Sequence, residues 1–211
     1  YKYVHILHVP IMTHHTVAYG KALHDAVQHY HQCKMQHRPV SEEDILKVFE
    51  NSFRKEGFIS REHIALRMRS AENALRNFYR EQEALKVVPS FVEQEFSFLV
   101  NRDRIVGRWD RVDIVDDIVT VVDFKSSEIR KQQDADKKTK ENLQLSLYSL
   151  AYQKTNGRLP DFKELRFLET GMVGRLEVTE KDVMRVLEAI DQASCGIRQG
   201  NFDAKPNYLA C

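Results

Sequence analysis

Residues 107–125 read GRWDRVDIVDDIVTVVDFK, and this stretch decides the fold. Two runs rich in β-branched residues, Val112 to Val115 and Ile118 to Phe124, flank the pair Asp116-Asp117. β-branched side chains favour strands, and paired aspartates between such runs are typical of a tight turn. The stretch predicts a β-hairpin. An alternating segment at 91–100 adds a third strand and completes an antiparallel meander.

Several charged residues of this hairpin lie at positions where the strand pattern predicts a buried side chain. Side chains alternate between the two faces of a strand. Asp110 therefore lies on the apolar face of the first strand, and Asp123 and Lys125 lie on the apolar face of the second. The apolar neighbours are Val106, Val112 and Ile114 on the first strand, and Val119 and Val121 on the second. Burying an ionised carboxylate costs several kcal/mol unless something compensates, and a divalent metal ion compensates.

Ordinary ion pairs are the alternative interpretation of these charges. Asp110 can pair with Arg108 or Arg111, and Asp123 can pair with Lys125. Asp113 lies on the opposite face from Asp110, beside Arg111, and is interpreted as half of a surface ion pair.

The pattern resembles the core of the PD-(D/E)XK nuclease superfamily. Gly107-x-x-Asp110, a turn, and Asp123-Phe124-Lys125 are similar to its RecB-type branch, found at the C-terminus of UvrD-like helicase-nucleases. That branch also carries a Gly-x-x-(apolar)-His helix upstream and a Gln-x-x-x-Tyr helix downstream. Both occur here in order, ending in His24 and Tyr148.

A helix over 19–33 carries the histidine of this pattern. Its apolar residues recur at helical spacing, and His24 lies just off the rim of the apolar stripe, one turn after Gly20. A rim position suits a ligand that reaches into a cleft, and Gly20 lets the helix approach the sheet closely. In the second helix, 143–154, Gln144 and Tyr148 are four residues apart and share one flank.

The resemblance implies a site. Its metal ligands are His24, Asp110, Asp123 and the backbone carbonyl of Phe124, and oxygen-rich ligation suits Mg²⁺ or Mn²⁺. Its catalytic residues are Asp110, Asp123, Lys125, Gln144 and Tyr148. The last two also bind the substrate, by positioning the scissile phosphate or the lysine. Glu93 or Glu95 is a further candidate for the cleft, because this family often carries a glutamate nearby.

The expected architecture is a single α/β domain with a restriction-endonuclease-like core over residues 1–211. A mixed central sheet is flanked by helices, the block 41–85 is a helical insertion, and 91–211 supplies the sheet and the later helices. The arginines of the insertion, Arg61, Arg67, Arg69, Arg76 and Arg80, are either a solvated face or a surface that follows a phosphate backbone. The charged segment 126–142 is expected to be a mobile, solvated loop.

Composition narrows the class of protein. The chain has 211 residues with 42% apolar and 30% charged residues and a net charge of +1, so DNA contacts must come from a local patch. No membrane-spanning run or signal peptide is visible. Three scattered cysteines make no disulfide framework, which favours the cytoplasm.

Tyr1 and Cys211 suggest an excised piece, and Cys211 matches one ligand of the iron–sulfur cluster of RecB-type relatives. No cluster is expected in this chain.

Together these features predict a metal-dependent exonuclease acting on single-stranded DNA as part of a helicase-nuclease in DNA repair or recombination. One alternative is a catalytically silent module that binds DNA or docks a helicase. Another is an unrelated α+β protein with structural ion pairs.

Overall fold

Five strands form one mixed sheet at the centre of the computed structural model, which describes residues 14–201. The strands are β1 (Phe91–Val100), β2 (Asp103–Val115), β3 (Ile118–Lys125), β4 (Phe162–Phe167) and β5 (Met172–Glu177). The helices are α1 (His15–Met35), α2 (Glu42–Ser52), α3 (Arg61–Leu85), α4 (Gln132–Glu141), α5 (Leu143–Asn156) and α6 (Glu180–Arg198).

The strand order follows the chain, β1-β2-β3-β4-β5. The meander β1-β2-β3 is antiparallel, as predicted, and Asp116 and Asp117 form its turn with φ angles of 50° and 66°. β4 pairs in parallel with β3, and β5 returns antiparallel to β4. A parallel neighbour requires a long crossover, which α4 and α5 supply. The predicted α/β class with a mixed sheet is confirmed.

Each face of the sheet has its own apolar core. On one face α1, α2 and α3 pack against Val122 and Phe124 of β3. On the other face α5 and α6 pack against Val119 and Val121. The alternation predicted for β3 is therefore correct, and it places Asp123 and Lys125 on the α5 side. The N-terminus of α2 is capped, because Ser41 and Asp44 bond reciprocally in a capping box.

The prediction of a solvated loop at 126–142 was wrong for most of that segment. Residues 132–141 form α4, which packs on β5 through the fully buried Ala135 and Thr139. Gly174 permits this contact, since a Cβ there would lie 2.1 Å from Thr139 Oγ1 and 2.6 Å from the Ala135 carbonyl oxygen. The small buried residues were hidden among lysines and aspartates, so composition alone suggested a loop.

The Arg111–Asp113 pair forms, but it is not on the surface as predicted. Arg111 is only 1% exposed, and its Nε donates to Asp113 Oδ1 at 2.7 Å. Arg111 Nη1 also donates to Gln82 of α3 at 2.7 Å and lies 3.2 Å from Nε2 of the buried His31 of α1. α1 and α3 cover this face of β2, so the arginine links three elements.

The predicted apolar face around Asp110 is only partly apolar. Val112 is fully buried, whereas Val106 and Ile114 are 62% and 39% exposed. These two residues lie towards the ends of β2, beyond the area that α5 and α6 cover. Burial of this strand is therefore concentrated at its middle, where Asp110 lies.

Three of the five arginines of α3 bind carboxylates within the protein. Arg67 pairs with Glu169 at 2.5 Å, while Arg76 and Arg80 both pair with Glu42. These pairs reduce the positive charge that α3 offers to a phosphate backbone, which favours the solvated-face interpretation. Within residues 14–201 no helix is long and apolar enough to cross a membrane. Cys211 lies outside the described residues.

Candidate active site

The predicted site residues meet where β2 and β3 leave their paired register. Pairing runs from Val115↔Ile118 to Arg111↔Val122, and Asp110 and Asp123 are the next residues along the two strands. The pairing of β1 with β2 also omits Asp110. The two carboxyl groups therefore meet at a place where the sheet opens and backbone groups become free to bind side chains.

Asp110 is the most connected residue of the site. Its Oδ1 accepts a hydrogen bond from the Tyr148 hydroxyl at 3.0 Å, and its Oδ2 accepts one from the Phe124 backbone N–H at 3.3 Å. His24 Nδ1 lies 3.6 Å from the same Oδ2. Asp110 thus connects β2 with β3, α5 and α1.

A continuous chain of polar contacts connects the two aspartates through α5. Lys125 Nζ lies 2.6 Å from Asp123 Oδ2 and donates to Gln144 Oε1 at 2.9 Å. Gln144 Nε2 donates to the Tyr148 hydroxyl at 2.7 Å, and that hydroxyl donates to Asp110. The four-residue spacing of Gln144 and Tyr148 produces this contact, because residues i and i+4 are neighbours on a helix.

Asp123 is the most perturbed carboxyl group of the site. It is 1% exposed, and neither carboxylate oxygen has a hydrogen-bond donor, since the Lys125 ammonium is close but poorly aligned. Burial, followed by the repulsion of the Asp110 carboxylate, raises the pKa of Asp123 from 3.8 to about 7. A buried carboxylate beside a second carboxylate destabilises the site, and perturbations of this kind cluster at functional sites.

The helix carrying His24 approaches the sheet as closely as predicted. A Cβ at Gly20 would lie 3.2 Å from Ser126 Oγ, directly after β3. The ring of His24 packs edge-on against Phe124, with centroids 6.5 Å apart, and bonds to the backbone of that residue. Burial lowers the pKa of His24, although Asp110 partly opposes this. A neutral imidazole is the form that binds metals.

Comparison with known proteins gives the family and the fold of this chain. A family model described as the PD-(D/E)XK nuclease superfamily matches residues 1–211. The chain belongs to this superfamily. A crystal structure of a candidate exonuclease from Eubacterium rectale shares the fold with a TM-score of 0.52 and 11% identity, over 88% of this chain and 69% of that one. No curated protein matches the chain significantly.

The structure places the predicted metal ligands and catalytic residues of the candidate site near one another. His24, Asp110, Asp123, Phe124, Lys125, Gln144 and Tyr148 all belong to the contacts above. Their chemical roles stay predictions. Glu93 lies nearby as well: burial, followed by the field of Asp110, raises its pKa. Its φ of 50° breaks the regular course of β1, and Arg108 pairs with it at 3.3 Å. Glu95 is exposed and lies opposite Arg108.

Sequence reasoning missed the role of Trp109. Its indole N–H donates to the Tyr148 carbonyl at 3.1 Å, inside the core between β2 and α5. The bond fixes α5 along its axis relative to Asp110, the next residue of β2. A tryptophan directly before a site aspartate was the available signal, but nothing local showed which helix it would contact.

The residues of this nuclease site suit a divalent metal ion in their chemistry. Two carboxylates, an imidazole and a backbone carbonyl are the hard donors that Mg²⁺ and Mn²⁺ accept. The buried, unbonded oxygens of Asp123 are the strongest indication, because a cation would satisfy them. Across residues 14–201, no three His, Cys, Asp or Glu side chains form a metal cluster by themselves. The three predicted side-chain ligands, His24, Asp110 and Asp123, therefore do not form a ready-made ligand set in this conformation, in which Lys125 lies against Asp123.

Proposed function

We propose that this chain is a metal-dependent deoxyribonuclease that hydrolyses phosphodiester bonds. The observation that carries the proposal is the buried carboxylate of Asp123, which lies beside Asp110 and has only the Lys125 ammonium, 2.6 Å from its Oδ2, to compensate its charge. Two neighbouring carboxylates destabilise a protein interior by themselves, and a bound cation offsets their charge. Membership of the nuclease superfamily supports the same chemistry.

In this proposal His24, Asp110, Asp123 and the Phe124 carbonyl hold Mg²⁺ or Mn²⁺. The bound cation would supply Lewis acidity, orient a water and lower its pKa. Asp110 is already restrained by Tyr148 and by the Phe124 N–H, so it needs little reorganisation to act as a ligand. Prior ordering of this kind reduces the cost of binding.

Lys125 offsets negative charge at the scissile phosphate and helps to position the attacking water. Its ammonium is one-third exposed and is held between Asp123 and Gln144, so it reaches both the buried site and the solvent. Preorganised donors of this type contribute most where charge develops in the transition state. Gln144 and Tyr148 hold the lysine and provide hydrogen-bonding groups for the phosphate.

The wider setting of the proposal rests on the resemblance to the RecB-type branch. We propose exonuclease action on single-stranded DNA, because helicase-linked relatives act on unwound strands. The likeness of fold to a candidate exonuclease supports this mode. A helicase partner, a role in DNA repair or recombination and a cytoplasmic location complete the proposal. Residues 1–211 would work as one nuclease domain, and Cys33 and Cys195 are free, which suits a reducing compartment.

The test combines metal binding with cleavage in one titration. Purified protein receives Mg²⁺ or Mn²⁺ in the presence of a labelled single-stranded oligonucleotide, with calorimetry on a parallel sample. We expect metal-dependent cleavage in the wild type and none in Asp123→Ala. Lys125→Ala should retain its circular dichroism spectrum and lose cleavage. Lys154→Ala, an exposed lysine on α5, is the matched control and should cleave normally.

The outcomes separate the candidate functions. Wild-type turnover in Lys125→Ala contradicts the assigned role of that lysine. Metal binding without any cleavage favours the silent DNA-binding or helicase-docking module. Absence of metal binding removes the reason to interpret Asp110 and Asp123 as ligands, and the ion-pair interpretation then stands.

A further inference from the structure

A cavity with seven charged lining residues lies at the β5 edge of the sheet. Its volume is about 730 Å³, which is within the range of small-molecule sites. The C-terminal end of α4, the first turn of α6 and strands β4 and β5 enclose it. The lining residues that carry charge are Lys140, Lys163, Arg175, Glu177, Lys181, Asp182 and Arg185.

Two of these cations are already neutralised. Lys163 is buried and pairs with Asp182 at 2.5 Å. Arg175 pairs with Glu164 at 2.9 Å and stacks over the Phe162 ring at 4.0 Å. These contacts form one wall of the cavity without contributing net charge.

Three cations remain against a single carboxylate, that of Glu177. Within the described part of the chain, Lys140, Lys181 and Arg185 form no ion pair with any carboxylate, and the two lysines are exposed. The cavity therefore carries excess positive charge and attracts anions.

Arg185 is held in a fixed position by backbone and hydroxyl oxygens rather than by an acid. Its Nη1 donates to the Lys140 carbonyl at 2.9 Å, and its Nη2 donates to the Asn142 carbonyl at 3.3 Å and to Ser146 Oγ at 2.9 Å. Its Nε is buried without a partner. A guanidinium fixed in this way keeps its full charge, and the planar group suits phosphate oxygens.

The cavity is close to the candidate active site. Asn142 and Ser146 lie two residues on either side of Gln144, the partner of Lys125. A residue rises about 1.5 Å along a helix, so Arg185 and Lys125 contact the same first turn of α5. Residues two apart point to nearly opposite sides of a helix, so the cavity and the candidate active site lie on different sides of α5.

We propose that this cavity binds a phosphate group of nucleic acid at a position separate from the catalytic centre. The phosphate belongs either to a strand that also occupies the active site or to a free nucleotide. The first source rests on the proposed nuclease function, whereas the second does not. Lys140, Lys181 and Arg185 supply the recognition in both cases, as cationic side chains do for phosphates elsewhere.

The experiment measures binding with divalent metals chelated, so that cleavage plays no part. Lys140→Glu/Lys181→Glu changes the two exposed lysines, which support no internal contact. The control is Lys47→Glu/Lys55→Glu, which makes the same change in net charge. Lys47 lies on α2 and Lys55 just after it, and α2 packs on the opposite face of the sheet. The probes are a labelled single-stranded oligonucleotide, a deoxynucleoside 5′-monophosphate and inorganic phosphate. Amide NMR shifts at residues 179–182 report the cavity directly.

A strand site predicts weaker oligonucleotide binding in the cavity variant alone. The slope of log affinity against log salt should decrease by about 0.7 for each lost contact with a single strand. A nucleotide site instead predicts loss of monophosphate binding and of the shifts at 179–182, with oligonucleotide binding unchanged. The proposal is overturned if both double variants behave alike, or if no phosphate probe shifts these amides in the wild type.

The nuclease proposal is tested independently of the cavity proposal. Metal-dependent cleavage lost in Lys125→Ala supports it whatever the cavity variant shows. Phosphate shifts at 179–182 without any cleavage would support the cavity while contradicting the nuclease.

Discussion

Replacing Asp123 by Asn should make the protein more stable while abolishing its activity. The carboxylate of Asp123 is buried, lacks hydrogen-bond donors and lies beside Asp110. A neutral amide of the same size removes the buried charge and its repulsion. Functional sites often keep such destabilising groups because activity requires them.

The size of the effect follows from the pKa. Folding raises the pKa of Asp123 from 3.8 to about 7. A change of this size corresponds to about 4 kcal/mol at neutral pH, because each pKa unit is about 1.36 kcal/mol. The variant also loses the contact with Lys125, so we expect a net gain of about 2 kcal/mol in the free energy of unfolding. That gain raises the melting temperature by about 4–8 °C for a chain of this length.

The way stability depends on pH shows whether ionised Asp123 destabilises the folded protein. Because folding raises this pKa, the folded protein binds the proton more tightly than the unfolded chain. The contribution of Asp123 to stability is full below pH 3.8 and is lost as the pH rises through about 7. The advantage of Asp123→Asn should therefore grow across this range and stay constant at higher pH.

Thermal and urea unfolding in EDTA at several pH values measure this advantage. Asp113→Asn is the matched control on β2, because Asp113 neutralises the buried Arg111. It should destabilise the protein by about 2 kcal/mol, since breaking one side of a buried pair leaves a charge uncompensated. An Asp123→Asn variant that is less stable than the wild type at pH 8, or equally stable, would refute the reasoning.

Three further predictions concern the scaffold around the site. Gly174→Ala should cost about 1–3 kcal/mol, measured by urea unfolding, because the new Cβ meets Thr139 and the backbone of α4. Burial lowers the pKa of His31 well below 6.5, so stability should fall as the pH drops below about 6.5, where only the unfolded chain binds the proton. His31→Gln should reduce this pH dependence of the urea midpoint. Trp109→Phe removes the bond to the Tyr148 carbonyl, so it should cost about 1 kcal/mol in unfolding and lower the cleavage rate.

The motif residues could be predicted because their signals are local. The hairpin follows from β-branched runs around Asp116-Asp117, and helical spacing places Gln144 beside Tyr148. The glycine one turn before His24 correctly predicted the close approach of α1, which a Cβ at Gly20 would hinder. Strand alternation also predicted the face of the sheet on which Asp123 and Lys125 lie. Each inference needs only a few neighbouring residues and a known period.

Other features depend on residues far apart in the sequence, and the sequence could not predict them. The burial of Arg111 requires α1 and α3 above it, and the helix α4 forms where Gly174 leaves room for it. No local pattern encodes the positive cavity around Arg185, because its walls come from four separate elements.

The sequence by itself determined which residues could form the site and on which elements they lie, since backbone periodicity fixes direction over short distances. Only the tertiary structure decided the electrostatics. The raised pKa of Asp123 results from its burial and from Asp110 on the next strand, while Lys125 only partly offsets both. Burial and long-range proximity are properties of the packed chain, and no short stretch of the sequence determines them.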